Sequence, residues 1–181
     1  MKLALSINAK LGKTHVAYLR THLRRAHALL KPALVEMSLA LVGDRAMSDL
    51  HLKFMNIAGP TDVLTFPLDD DIRGRTISGE VIVCVPEAKR RSKETDVALR
   101  DELLLYALHG MLHLCGFDDR TAADFRKMHR KEDQILKTLG VGAVFHRDGL
   151  VAPKFTKKAS TRRGLLKTAL NPGTSNHRRG K

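Results

Sequence analysis

With 181 residues and 43% apolar content, the chain can bury one sizeable core but not comfortably two. It has no apolar run long enough to span a membrane, no charged-then-apolar leader, and only two cysteines, Cys84 and Cys115. These features exclude membrane-embedded and disulfide-stapled classes and set the expectation of a soluble cytoplasmic protein with reduced thiols. A net charge of +13 points to a polyanionic partner, nucleic acid above all.

In chain order, Lys2 to Asn8 alternates, with Leu3, Leu5 and Ile7 on one side, and predicts a strand. After Gly12, the positions Val16, Leu19, Leu23, Ala26 and Leu30 recur at helical spacing. The opposite face of that helix carries Lys13, Arg20, Arg24 and Arg25, and His15, His22 and His27 are expected as solvated surface beside it. Pro32 ends the helix, and Val35, Met37, Leu39 and Leu41 alternate as a second strand. Gly43-Asp44 makes a turn in which Asp44 is expected to cap a short helix with Met47, Leu50 and Phe54 inward.

Thr61 to Pro67 reads as a short β-rich run, and Asp69 to Gly74 as an acidic linker. Gly79 to Val85 is apolar on both faces, as in a buried strand. Pro86 fits the first position of a basic helix. Thr95 to Leu114 predicts a long helix that is apolar all round, hence central and buried. Thr121 and Asp124 form a capping-box pattern before a last helix that packs Phe125, Met128, Ile135, Leu136 and Leu139 and stops at Gly140. The sum is an α/β (α+β) domain: one small mixed four-stranded sheet flanked by about five helices, over residues 1–148. Residues 151–181 contain nine Lys or Arg and no acid, leaving +4 for the first 150. The segment 149–181 is therefore expected as a basic, disordered tail able to tether RNA.

The chemistry concentrates in residues 109–119, H-G-M-L-H-L-C-G-F-D-D. His109 and His113 lie four apart, on one helical face, where two imidazoles can share a metal ion. Gly116 can break the helix and bring Asp118 or Asp119 back as a third ligand, leaving an open position in a cleft. Two histidines inside the most apolar stretch each need partners for their ring nitrogens, which a shared ion supplies. Imidazole and carboxylate suit zinc, one per chain. Gly110 stands where a zincin protease needs its general-base glutamate, so protein hydrolysis is disfavoured. Glu102, seven residues before His109, is a possible partner for that imidazole or else a surface ion-pair member.

The same residues resemble the signature of the YbeY family of metal-dependent endoribonucleases, H-G-x-L-H-L-x-G-Y-D-H, with Phe117 for the tyrosine and Asp119 for the last histidine. Pro60 to Pro67 (P-T-D-V-L-T-F-P) is similar to the family's P-T-D-V-L-S-F-P, Gly79-Glu80-Val81-Ile82 to its G-D-I-x, and Met128 and Glu132 fall on its later M and E. The resemblance implies a single-strand-specific endoribonuclease acting on precursor ribosomal RNA, with the small ribosomal subunit or its assembly intermediates as partner and neither DNA nor membrane. It implies His109, His113 and Asp119 as metal ligands and leaves Asp118 as a proton-transfer group.

Two departures stand out. An aspartate as third ligand lowers the effective charge of the ion and makes harder cations such as manganese more competitive. Met55 occupies the place of a family arginine, with Lys53 the nearest substitute. These departures keep open an alternative, a non-catalytic RNA-binding assembly factor with a weakened metal site.

Overall fold

The computed structural model describes residues 2–142; the expected domain boundary at 148 and the basic tail lie outside them. Four strands form one sheet in the order β1-β2-β4-β3, with β1 (Ala4–Ala9), β2 (Glu36–Val42), β3 (Val63–Asp70) and β4 (Thr76–Cys84). β1, β2 and β4 run parallel, and β3 is an antiparallel edge on β4. The helices are α1 (Val16–Leu30), α2 (Asp44–Met55), α3 (Val85–Thr95), α4 (Leu99–Leu114) and α5 (Ala122–Leu139), with a 3-10 turn at Lys13–His15 ahead of α1. This is the mixed α/β architecture expected from the pattern. Among the described residues, no helix is long and apolar enough to cross a membrane.

The larger core lies on one face of the sheet. There Leu19, Leu23 and Ala26 of α1, the apolar girth of α4, and Met128, Ile135 and Leu136 of α5 pack against Met37, Leu39, Val81 and Val83. The other face holds a smaller cluster, Ala40, Val42, Leu64, Phe66, Ile82 and Cys84, covered by Met47, Leu50 and Phe54 of α2. Two glycines let α4 lie close on the sheet. A Cβ on Gly110 would stand 2.5 Å from Val81 Cγ1 and 2.9 Å from Thr65 Oγ1, and one on Gly79 would stand 2.4 Å from Leu114 Cδ2.

Several local expectations need correction. The acidic stretch after Pro67 is not a linker. Asp69 and Asp70 continue β3 through an irregular register, and Asp71 closes the hairpin by accepting from the N–H groups of Arg73 and Arg75. Asp44 does not cap α2. Gly43 holds the cap position and Asp44, the first helical residue, takes a bidentate ion pair from Arg90. The long helix begins at Leu99, because Asp96 adopts a left-handed conformation (φ 54°) that ends α3 at Thr95. Val85, expected as strand, opens α3 and shifts Pro86 one place inward. His27 is buried rather than solvated, its Nε2 2.7 Å from the Leu34 carbonyl. The Thr121 half of the expected capping box opens α5: Thr121 Oγ1 accepts from the Asp124 N–H and donates to Asp124 Oδ2.

Candidate metal centre

The site grows from the way α4 stops. Gly116 takes φ 88°, a left-handed conformation, and the Phe117 N–H returns to the Leu112 carbonyl at 3.0 Å. The chain thus reverses within a few residues. One consequence is that the Phe117 carbonyl meets His113 Nδ1 at 3.1 Å; another is that Asp119 lies back over the two histidines.

His109 Nε2 and His113 Nε2 are 3.1 Å apart, and Asp119 Oδ2 lies 3.6 Å from the first and 3.9 Å from the second. The other ring nitrogens decide what this triangle can hold. His113 Nδ1 faces a carbonyl, which only accepts, and His109 Nδ1 faces a Glu132 carboxylate oxygen at 2.7 Å. Both Nδ1 atoms therefore carry the hydrogen, and in neutral rings both Nε2 atoms present lone pairs to each other. Two lone pairs and a carboxylate oxygen converging on one point repel unless a cation or proton lies between them. Donors about 2.0–2.1 Å from one tetrahedral ion would be about 3.3–3.4 Å apart, within the observed span. The three donor groups fit a divalent cation, and side-chain exposures of 19–27% leave the point reachable from solvent.

Glu132 anchors the arrangement from α5. Its side chain is fully buried, with Oε1 on His109 Nδ1 and Oε2 on His129 Nδ1 at 2.5 Å. Burial opposes its charge, but the hydrogen bonds from the two imidazoles prevail and hold its pKa below the usual glutamate range. Burial likewise opposes a charge on His109, yet the Glu132 hydrogen bond and charge, with Asp119 and Asp62 behind them, move that imidazole upward. His113 is held below the ordinary range, by burial first and then by its His109 neighbour.

The structure thus brings together three predicted ligands, His109, His113 and Asp119, and it adds a second layer that local spacing did not reveal. Glu132 had stood out only through the family pattern, and His129 not at all. One signal was available: position 132 falls on the same stripe of α5 as Met128, Ile135 and Leu139, where a carboxylate needs a partner. Glu102, by contrast, is not on the surface but buried, and its charge lies close enough to Tyr106 to add to burial in pushing that phenol up. Asp118 lies at the rim. It accepts from the Asp119 N–H at 2.9 Å and pairs with Arg120, whose hydrogen bond holds its carboxyl below the usual range. Asp62 accepts from Thr61 Oγ1 and the Val63 N–H, which rigidifies the entry to β3 beside α4. Met55 ends α2 with 39% exposure, and Lys53 Nζ lies 5.4 Å from the Phe54 ring centroid.

The family model described as Endoribonuclease YbeY matches residues 6–140. The chain belongs to the YbeY family. A YbeY relative from Anaeromyxobacter sp. (strain Fw109-5), named Endoribonuclease YbeY, is 33% identical over 179 residues, covering 98% of this chain and 93% of its own. A second YbeY relative of the same name, from Thermobifida fusca (strain YX), is 38% identical over 116 residues, covering 60% of this chain and 75% of its own. Among solved structures, a Thermotoga maritima protein determined in solution shares the fold, with a TM-score of 0.51 and 26% identity over 75% of this chain and 91% of that one.

Proposed function

We propose that the protein is a metal-dependent endoribonuclease that cuts single-stranded segments of precursor ribosomal RNA in the cytoplasm, during maturation and quality control of the small ribosomal subunit. The observation that carries the metal-dependent reading is the convergence of the two Nε2 atoms, 3.1 Å apart, closed by Asp119 Oδ2. His109, His113 and Asp119 would hold the ion, zinc by the chemistry of the donors, with manganese a competitor because one donor is a carboxylate. When bound, such a cation supplies Lewis acidity toward a phosphodiester oxygen and toward water.

The chain's own residues do the rest. Glu132 and the Phe117 carbonyl orient the two imidazoles and fix their tautomers. Asp118 fixes the Asp119 backbone through its N–H and is the proposed proton-transfer group; Arg120 keeps it ionised and ready to accept, though as a weak base. The basic surface of α1 and the C-terminal tail would attract the RNA backbone without reading its sequence.

The test is cleavage of single-stranded RNA by purified protein carrying one metal per chain. Cleavage should stop with chelator, return with zinc or manganese, and weaken steeply as salt rises. Chelator-insensitive cleavage, or none with metal bound, refutes it. Met55 favours one second reading, RNA binding without turnover. In that case Met55→Arg with Asp119→His should confer cleavage on an inactive parent.

A further inference from the structure

The Glu132 carboxylate has two oxygens, and the metal reading uses only one. Its side chain has no solvent exposure, so water cannot satisfy the second, and an ionised oxygen buried without a donor is costly. That donor is His129. Three residues earlier on α5, its Nδ1 lies 2.5 Å from Oε2, while Oε1 meets His109 Nδ1 at 2.7 Å. The His109 and His129 rings are nearly parallel, 21° apart with centroids 6.0 Å from each other, and the carboxylate is clamped between their Nδ1 edges. Phe125 holds the outer ring in turn, edge to face at 4.1 Å.

We infer that His129 is a positioning residue for the metal centre. By donating to Glu132 Oε2 it fixes the plane of that carboxylate, keeps Oε1 on His109, and so commits His109 to the tautomer whose Nε2 lone pair faces His113 and Asp119. This rests on the metal-centre reading above and extends it one residue further out. His129 and Glu132 also stand with His109 as a group whose donor atoms are close enough for an ion. With Glu132 sealed between two N–H donors, however, the inner triangle of His109, His113 and Asp119 is the open one.

The test uses the full-length protein and two substitutions. His129→Phe keeps an aromatic ring against Phe125 but removes the donor. His129→Asn places an amide N–H about where Nδ1 stood. Zinc affinity is measured by competition with a chromophoric chelator, and the histidine tautomers of the metal-free protein by ring nitrogen NMR. Expected are zinc binding about 10–100-fold weaker in His129→Phe, recovery in His129→Asn, and a mixed His109 tautomer only in the Phe variant.

The inference is overturned if His129→Phe binds zinc like wild type with His109 unchanged, or if His129→Asn fails as badly as His129→Phe. If wild type binds no zinc, the metal reading falls instead, and the metal-free tautomers alone decide this one. Should the Phe variant not fold, the wild-type spectrum decides. Slowly exchanging, strongly downfield Nδ1 protons on both His109 and His129 support the clamp, and their absence refutes it.

Discussion

Gly110→Ala is the sharpest probe of how the fold carries the site. The new methyl would stand 2.5 and 2.9 Å from the two Cγ atoms of Val81 and 2.9 Å from Thr65 Oγ1, against about 3.5–4.0 Å for ordinary carbon contacts. Val81 is fully buried in the central part of the sheet, and a strand valine is stiff at χ1, so neither methyl can easily turn away. The helix must move by up to about 1 Å, and His109 precedes the substituted residue on it. Overpacking of this kind costs about 1–3 kcal/mol, and the better helix propensity of alanine returns about 1 kcal/mol. The expected net loss is about 0–2 kcal/mol in urea denaturation, with zinc affinity reduced at least about 10-fold because the proposed ligand triangle is displaced. Val81→Ala alone should cost about 2 kcal/mol for two buried methyl groups. In the double variant the alanine methyl enters the space vacated, so the combined loss should be smaller than the sum by about 1–2 kcal/mol. A Gly110→Ala protein as stable as wild type with unchanged zinc affinity, or strict additivity of the two losses, refutes the close-approach argument.

Asp119→Ala should lower zinc content well below one per chain in elemental analysis while leaving the urea midpoint of the metal-free protein nearly unchanged. Asp118→Asn should retain zinc and reduce kcat about 10-fold, less than the about 100-fold or more of a well-matched base, because Arg120 has already made Asp118 a weak one. Glu80, buried on the α2 face, has its pKa pushed up by burial, above the unfolded value. Stability from this group is full below the unfolded pKa and is lost as pH rises through the folded one. Glu80→Gln should therefore raise Tm at pH 7, and the gain should vanish below about pH 4. Burial pushes the Cys84 thiol up to about 11 and the Cys115 thiol up to about 12, so both should resist iodoacetamide at pH 8 until the protein is unfolded.

The architecture was legible where pattern and burial coincide. The all-round apolarity of α4 announced a central helix, and the alternation in β2 and the apolar run of β4 announced the strands it lies on. Boundaries were less legible, because they turn on single backbone conformations. No propensity rule foretells that Asp96 will be left-handed, or that Asp69 and Asp70 will pair with Ser78 and Thr76 across an irregular register. The convergence of His109, His113 and Asp119 could be read because the three are close in sequence and one glycine governs the return of the chain. The outer layer could not, because Glu132 meets His109 across 23 residues and depends on how α5 docks. The surface reading of Glu102 failed for a related reason, since its burial depends on what packs over the start of α4.

Docking of α5 also explains how two imidazoles can sit in the most apolar helix of the chain. Each ring nitrogen directed away from the centre is met by an acceptor from outside α4: the Phe117 carbonyl after the glycine turn, and the Glu132 carboxylate from α5. The remaining nitrogens have only each other and Asp119, and in neutral rings that arrangement holds together only around positive charge. The fold therefore meets both outward nitrogens with protein acceptors and turns the two Nε2 atoms and the Asp119 carboxylate toward one point, the geometry on which the metal proposal rests.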